Sequence, residues 1–304
     1  MVVATVIDRA VGEPPARVHP VALFGSTMTT LEARIHADSV GRGAVYSGVG
    51  IAVAAAAAAV LRRSIGPFAA AVTAGSVALA GRMLESEVDA VGDALRDGDL
   101  ALARTCLGRL VGRSTTDLDE SAIARASIET LAENSVDAVT ATMFWGAVAG
   151  APGIFVHRAV NTMDAMVGHR TVRHNRFGRV SARLDDIANW IPARLTGVAV
   201  AMTTPFRACS IVDTIQRDAH RHPSPNGGVV EAAFAAALGV QLGGVNRYGE
   251  VDEDRGTLGD GRRATGTDIT AAIAVSRRAQ LGTLAMCCMF RLVVLNRIVE
   301  RVRS

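Results

Sequence analysis

Glu129, Glu133 and Asp137 recur every four residues in "SIETLAENSVDAVTATMFW" (127–145), a stretch that begins polar and ends apolar. On a helix this spacing lines the three carboxylates, with Asn134 beside them, along one stripe that runs into the apolar segment. Acids on an exposed helix face usually pair with Arg and mean little. Near bilayer depth each costs about 2.5–3.5 kcal/mol on insertion scales and tends to mark a site. Clustered oxygens are natural ligands for magnesium, and that is the chemistry the stripe suggests.

Three further clusters could act with it. Asn161 and Asp164 lie three apart in "HRAVNTMDAMVGHR" and share a helical face. "SARLDDIANWIPARL" gathers Arg183, Asp185, Asp186, Asn189 and Arg194 within twelve residues, with Pro192 expected to interrupt the helix. Its guanidinium forks match phosphate or carboxylate geometry. "RDAHRHPSPNGGVVEAAFAAALGVQLGG" sets His222, Ser224 and Asn226 among two prolines, followed by Gly227 and Gly228. Such a loop can offer free backbone N–H groups to an anion, aided by the dipole of a helix expected from about Val229. By composition it could equally be a tight interhelical turn. Glu231 is the lone acid of an uncharged helix predicted to run to Asn246, and is costly there without a partner. An N-terminal candidate, "DRAVGEPPARVHP", places Asp8, Arg9, Glu13, Arg17 and His19 around the rigid Pro14-Pro15 pair. No P-loop, Rossmann fingerprint, G-x-S-x-G elbow or HExxH motif names a reaction.

The elements that must position these groups are helical. Of 304 residues, 49% are hydrophobic and only 4% aromatic, and mean hydropathy is +0.27, which leans toward the membrane class. Uncharged runs at 43–61, 64–81 and 138–156 approach the roughly 20 residues of a spanning helix. Ala, Gly and Thr dominate them, so they insert weakly but suit helix-on-helix packing. Two interrupted stretches, 195–212 and 281–296, raise the expectation to three to five membrane-associated helices. Leu84, Val88, Val91 and Leu95 share one face, break at "DGD" (97–99) and resume with Leu100, Leu107 and Leu110, a helical hairpin. Acids crowd a helix start at "STTDLDESAIARASIETLAEN". No strand-like alternation persists, so the reading is a single all-α unit over 1–304, multi-pass in the membrane, with amphipathic helices packed at its cytoplasmic side.

Charge and cysteine usage exclude other classes. Net charge is +3, every basic side chain is Arg, and these are scattered among acids with little aromatic interleaving, so nucleic acid is not an expected partner. Cys106, Cys209, Cys287 and Cys288 lack zinc or disulfide spacing. The N-terminus has no basic n-region, so a cytoplasmic start without a cleavable signal is expected. Six Arg in 82–137 and seven in 157–194 both pull toward the cytoplasm, which conflicts with one clean crossing at 138–156. "GAPG" (150–153) is the expected break, making that segment re-entrant or protein-buried.

Taken in order, "DRAVGEPPARVHPVALFG", "ASIETLAENSVDAV", "GAPGIFVHRAVNTMDAMVGHR", "FGRVSARLDDIANWIPARLTG" and the 217–244 stretch resemble the adenosylcobinamide-phosphate synthase family (CobD/CbiB) of cobalamin biosynthesis. The resemblance covers Asp8 to about Gly259. It implies a multi-pass protein of the cell membrane, active side cytoplasmic, that joins the carboxyl of adenosylcobyric acid to (R)-1-aminopropan-2-ol or its O-phosphate. ATP and Mg²⁺ are implied as cofactors and the corrinoid as substrate. Membrane lipid would surround the chain, and association with itself or with other enzymes of the pathway stays open.

Carried onto this sequence, the family's motif positions make Glu129, Glu133, Asp137 and Asp164 metal ligands and give Glu133, Asp137, Arg183 and Asp186 catalytic roles. Asn134, Asn161, Asp185, Asn189, Arg194, His222, Ser224, Asn226 and Glu231 would bind substrate or nucleotide. The chain departs from the family pattern at His157 and His169, where Tyr is commoner, at Arg179, where Trp is typical, and at "TATMFW" after Asp137. A transporter using intramembrane acids as relays is the rival reading, but it calls for internal repeats that the sequence lacks.

Overall fold

The computed structural model describes residues 1–12, 19–169, 171–248 and 251–303. Glu13, Pro14, Pro15 and Arg17 of the N-terminal candidate lie outside the described residues. Eleven helices are described: α1 (Val2–Ala10), α2 (Pro20–Ile35), α3 (Val40–Ala78), α4 (Gly81–Arg96), α5 (Leu100–Leu107), α6 (Glu120–Ser135), α7 (Ala141–Val167), α8 (Arg179–Thr203), α9 (Ala208–Asp218), α10 (Gly227–Leu238) and α11 (Gly266–Arg303). Three strands, β1 (Val240–Tyr248), β2 (Val251–Leu258) and β3 (Arg262–Arg263), lie between α10 and α11.

The chain divides into two compact units, one from Met1–Ala80, Asp137–Asn189 and Leu284–Ser304, the other from Gly81–Val136 and Trp190–Thr283. In the first unit α3 packs along α7. Small residues let the backbones approach: Ala70, Ala74 and Ala78 of α3 meet Ala151 and Ile154 of α7. A second cluster joins Met28, Tyr46, Val160, Met163 and Phe177, with the Tyr46 and Phe177 rings 5.2 Å apart. His19, a sequence candidate, caps α2 by accepting from the Val21 N–H at 3.3 Å, and Asp8 is buried on α1.

Two kinks follow one chemical rule. Gly66 (φ 79°, ψ 164°) precedes Pro67 in α3, and Gly150 (φ 65°, ψ −146°) stands two residues before Pro152 in α7. Each glycine takes a backbone that side-chain-bearing residues avoid, and each proline lacks the N–H the helix would need. The break expected at "GAPG" is therefore present as a kink within α7. Pro192 behaves otherwise: α8 runs through it, correcting the expected interruption. Proline at 192 deprives the Ala188 carbonyl of its helical donor, and the Trp145 indole N–H supplies one instead at 3.1 Å.

Among the described residues, Val40–Arg96 and Glu120–Val167 are long and apolar enough to cross a membrane, and the pair Arg179–Thr203 and Pro205–Arg221, bent by 106°, would make a third. The runs 43–61 and 64–81, read as two spans, fall within this first stretch. Val45, Val49, Val53 and Val60 lie exposed along α3, an apolar face of the kind lipid covers.

In the second unit, α4 and α5 form the expected hairpin. Gly98 (φ 74°) makes the turn, and Asp99 caps α5 by accepting from the Leu102 N–H at 2.9 Å. Leu84, Val88, Val91 and Leu95 are buried as their spacing predicts. Asp119 caps α6 through the Ala122 N–H at 2.7 Å.

The sheet corrects the all-α expectation. β1 pairs antiparallel with β2 and parallel with β3, in the order β2-β1-β3. Its alternation is hidden because, after Val240 and Leu242, the inward positions of β1 pass to Gly244 and the buried Asn246, while β2 carries a run of charges. A register shift between Gly243 and Val245, both flanking or within a pair of positive-φ glycines, bulges the strand. The helix bearing Glu231 likewise does not run to Asn246. It ends at Leu238, where Gly239 (φ 69°) closes it in the left-handed conformation.

Candidate functional site

Glu133 of α6, His222 of the loop before α10, and Glu231 of α10 converge in the second unit. One ligand atom from each lies within 4.8 Å of the others. Glu231 and His222 are fully buried, with Glu231 surrounded on its helix by Ala, Val and Phe. His222 Nε2 stands 3.2 Å from Glu231 Oε1, yet neither oxygen of Glu231 accepts a hydrogen bond. Arg255 of β2 reaches the same point: its Nη2 donates to Glu133 Oε1 at 2.7 Å and its Nε to His222 Nε2 at 2.8 Å. Burial, reinforced by the charge of Glu133, pushes the Glu231 carboxyl up to about 8.

The loop that presents His222 is closed by its own backbone. Ser224 Oγ accepts from the N–H of Asn226 (3.4 Å) and of Gly227 (3.1 Å), and Ser224 O accepts from Gly228 N at 3.1 Å. These donors are therefore not free for an anion, which corrects the phosphate-cradle reading in favour of the tight turn. The glycines serve close approach instead. A Cβ on Gly227 would stand 2.7 Å from Glu133 Oε1 and 2.8 Å from His222 Cε1. Asn226 Oδ1 accepts from Arg194 Nη1 at 2.8 Å, and that guanidinium stacks 4.4 Å above the Trp190 ring. Arg194, His222, Val198, Met202 and Val212 help line an apolar cleft of about 720 Å³.

Glu129 is one helical turn before Glu133, but its chemistry is spent locally. Its Oε1 accepts from the Gly243 N–H at 2.7 Å, and its Oε2 takes Arg113 Nη2 at 3.3 Å, with Arg125 Nε 3.7 Å from Oε1. Arg125 also bonds the Gly243 carbonyl. The acid pins the β1 bulge onto α6.

In the first unit the polar groups form a different array. Asn189 donates through Nδ2 to Asp137 Oδ1 and to Asp185 Oδ2, both at 3.0 Å, while its Oδ1 meets His157 Nε2 at 2.8 Å. Two carboxylate acceptors on Nδ2 fix the amide's orientation, so His157 must donate from Nε2. Asn161 Nδ2 donates to Asp185 Oδ1 at 3.3 Å, and Asp164 faces the charges of Asp185 and Asp186. A π-helical turn at Val136–Thr140 carries Asp137 and breaks the four-residue stripe just where its third acid falls.

Chains with this sequence are recognised. The family profile described as "CobD/Cbib protein" matches residues 1–276. The chain belongs to the CobD/CbiB family. It is 40% identical over 295 residues to Cobalamin biosynthesis protein CobD of Mycobacterium tuberculosis (strain ATCC 25618 / H37Rv), covering 95% of this chain and 94% of that one. The Brucella suis biovar 1 protein of the same name is 40% identical over 299 residues, 90% of each chain, and that of Rhodobacter capsulatus 45% over 205 residues, 66% of this chain and 64% of that one. No solved structure matches. Membership in this family gives the chain a role in cobalamin biosynthesis.

For a CobD/CbiB chain the expected residues are partly gathered. Asp137, Asn161, Asp164, Asp185, Asp186 and Asn189 share the first unit's array, and Glu133, His222 and Glu231 share the second unit's point. Arg194, Ser224 and Asn226 shape the adjoining loop. Asn134 donates to the Thr130 carbonyl of its own helix at 2.9 Å, and Arg183 is exposed. Glu129, Glu133, Asp137 and Asp164 do not form the single ligand set expected, since Glu129 is engaged by two arginines and the π turn diverts Asp137. Arg113, Arg125 and Arg255 were not legible as partners. Arg255 sits in the charged run "DEDRG", where nothing marks one charge as inward-facing.

Proposed function

We propose that this CobD/CbiB chain is an ATP-dependent, multi-pass membrane ligase joining the carboxyl of adenosylcobyric acid to (R)-1-aminopropan-2-ol or its O-phosphate. A carboxylate oxygen is too poor a leaving group for an amine to displace, so it must first leave as phosphate or adenylate. The amide nitrogen then takes the acyl carbon, one amine proton is lost, and the oxygen departs on the phosphorus.

The observation carrying this reading is the first unit's oxygen-rich array. Asp137, Asp164, Asp185 and Asp186, with the amides of Asn161 and Asn189, offer only oxygen ligands. That donor chemistry fits magnesium, which would neutralise nucleotide phosphates when bound. Asn189 orients the Asp137 and Asp185 carboxylates, and His157 in turn orients Asn189. Exposed Arg183 is suited to phosphate oxygens. In the second unit, the apolar cleft beside Arg194 suits a substrate with a broad apolar face and a peripheral anion.

Protein purified in detergent, given ATP, Mg²⁺, adenosylcobyric acid and the amine, is expected to yield a corrinoid heavier by the condensed amine, read by mass spectrometry. Absence of that product, in a mixture where a relative forms it, would remove the catalytic reading. The ratio of ADP to AMP identifies the activated acyl species.

A further inference from the structure

We infer that Glu133, His222 and Glu231 bind one divalent transition-metal ion, separate from any magnesium carried by nucleotide. Three features carry this. The ligand atoms of the three residues lie within 4.8 Å of one another on three different segments of the second unit. Glu231 is completely buried on an otherwise apolar helix, and both of its oxygens lack a hydrogen bond. A buried carboxylate left so is expensive unless a cation takes it.

The imidazole is also held as a ligand should be. His222 Nδ1 lies 3.1 Å from the Ser224 carbonyl, the outer hydrogen bond that turns Nε2 and its lone pair toward Glu231 and Glu133. Arg255 donates to Glu133 and His222 at this same point, so it already draws positive charge, but a single guanidinium leaves one of the two carboxylates uncompensated. Gly227 supplies the space, because a Cβ there would crowd Glu133 Oε1 and the His222 ring. One imidazole with two carboxylates suits zinc or manganese. Magnesium prefers oxygen ligands and octahedral hydration, so it fits this donor set poorly.

The other three-residue group among the described residues, Glu32 with His36 and His174, makes a useful control. There Glu32 Oε1 already accepts from Arg173 and His174.

The test is metal content and affinity, independent of catalysis. Full-length protein in detergent is stripped with chelator and titrated with Zn²⁺ alone, then with Co²⁺ as a visible-absorption probe. One ion per chain is expected. His222→Ala and Glu231→Gln should each weaken it by more than the roughly 10–100-fold that outer-sphere partners command. Gly227→Ala, which removes no ligand, should weaken it by about 10-fold and shift the Co²⁺ band. Glu32→Gln should change nothing, and excess Mg²⁺ should leave the Co²⁺ band in place. Failure of the stripped protein to bind Zn²⁺, unchanged affinity in both Glu231→Gln and Gly227→Ala, loss of the ion only in Glu32→Gln, or displacement of Co²⁺ by Mg²⁺ would each overturn the assignment. Should His222→Ala fail to fold, Gly227→Ala and the Co²⁺ spectrum still decide. Loss of this ion with amide synthesis intact would separate this inference from the proposed ligase activity.

Discussion

Glu129→Gln offers a sharp test of the claim that this acid is a structural anchor. The substitution keeps an acceptor for the Gly243 N–H, at 2.7 Å in the structure, but removes the charge that faces Arg113 at 3.3 Å and Arg125 at 3.7 Å. Arg113 is only 6% exposed, so its guanidinium would be left buried without its carboxylate. Breaking a buried pair from one side costs about 3–5 kcal/mol, a large part of the ~5–15 kcal/mol that holds a protein folded. At roughly 2 °C per kcal/mol for a chain of this size, Tm should fall by about 6–10 °C. Scanning fluorimetry in detergent with a thiol-reactive dye can follow this, because Cys106 is buried in the same unit. Replacing both partners, Glu129→Leu with Arg113→Met, should recover most of the loss, since an apolar pair of similar volume avoids the desolvation cost. A Glu129→Gln Tm within about 1 °C of the parent, or a double variant worse than the single, would refute the reasoning.

Three shorter predictions follow from other elements. Gly66→Ala should cost about 1–3 kcal/mol although a Cβ there meets nothing within 4 Å, because the loss is backbone strain at φ 79° and not a clash; an unchanged Tm would contradict this. Trp145→Phe leaves the Ala188 carbonyl without its 3.1 Å donor beside Pro192 and should cost about 1–3 kcal/mol, with Pro192→Ala on the same background restoring part of it by returning an N–H. At the α6 cap, the Ala122 N–H and then Arg263 hold the Asp119 carboxyl below its ordinary value. Its contribution is therefore present above the usual carboxylate range and is lost as pH falls through the lowered value. Asp119→Ala should cost about 1 kcal/mol at neutral pH and less in acid, read as converging Tm curves.

Much of the scaffold was legible from residue pattern. The α4–α5 hairpin was marked by apolar spacing and "DGD", and the α7 kink by "GAPG", because glycine and proline act locally on the backbone. The third acid of the 129–133–137 stripe was misplaced because a π turn has no sequence signature of its own. The hairpin of β1 and β2 escaped notice because glycines and Asn246 fill inward positions that alternation arguments expect to be apolar. Pro192 passes without a break only because a tryptophan 47 residues upstream supplies the missing donor. The polar clusters around Asp185 and His222 were found from residue type alone, whereas their partners Arg113, Arg125 and Arg255 required three-dimensional pairing.

The most direct test of the central claim is the magnesium dependence of amide formation in Asp185→Asn. This substitution removes a carboxylate from the array held by Asn189 and Asn161 while keeping its shape. The account predicts that the parent makes the corrinoid amide with one ATP cleaved per bond, and that the variant, folded with parental Tm, needs far more Mg²⁺ or makes no amide. Parental turnover at parental Mg²⁺ in Asp185→Asn would contradict the assignment of this array to a magnesium nucleotide.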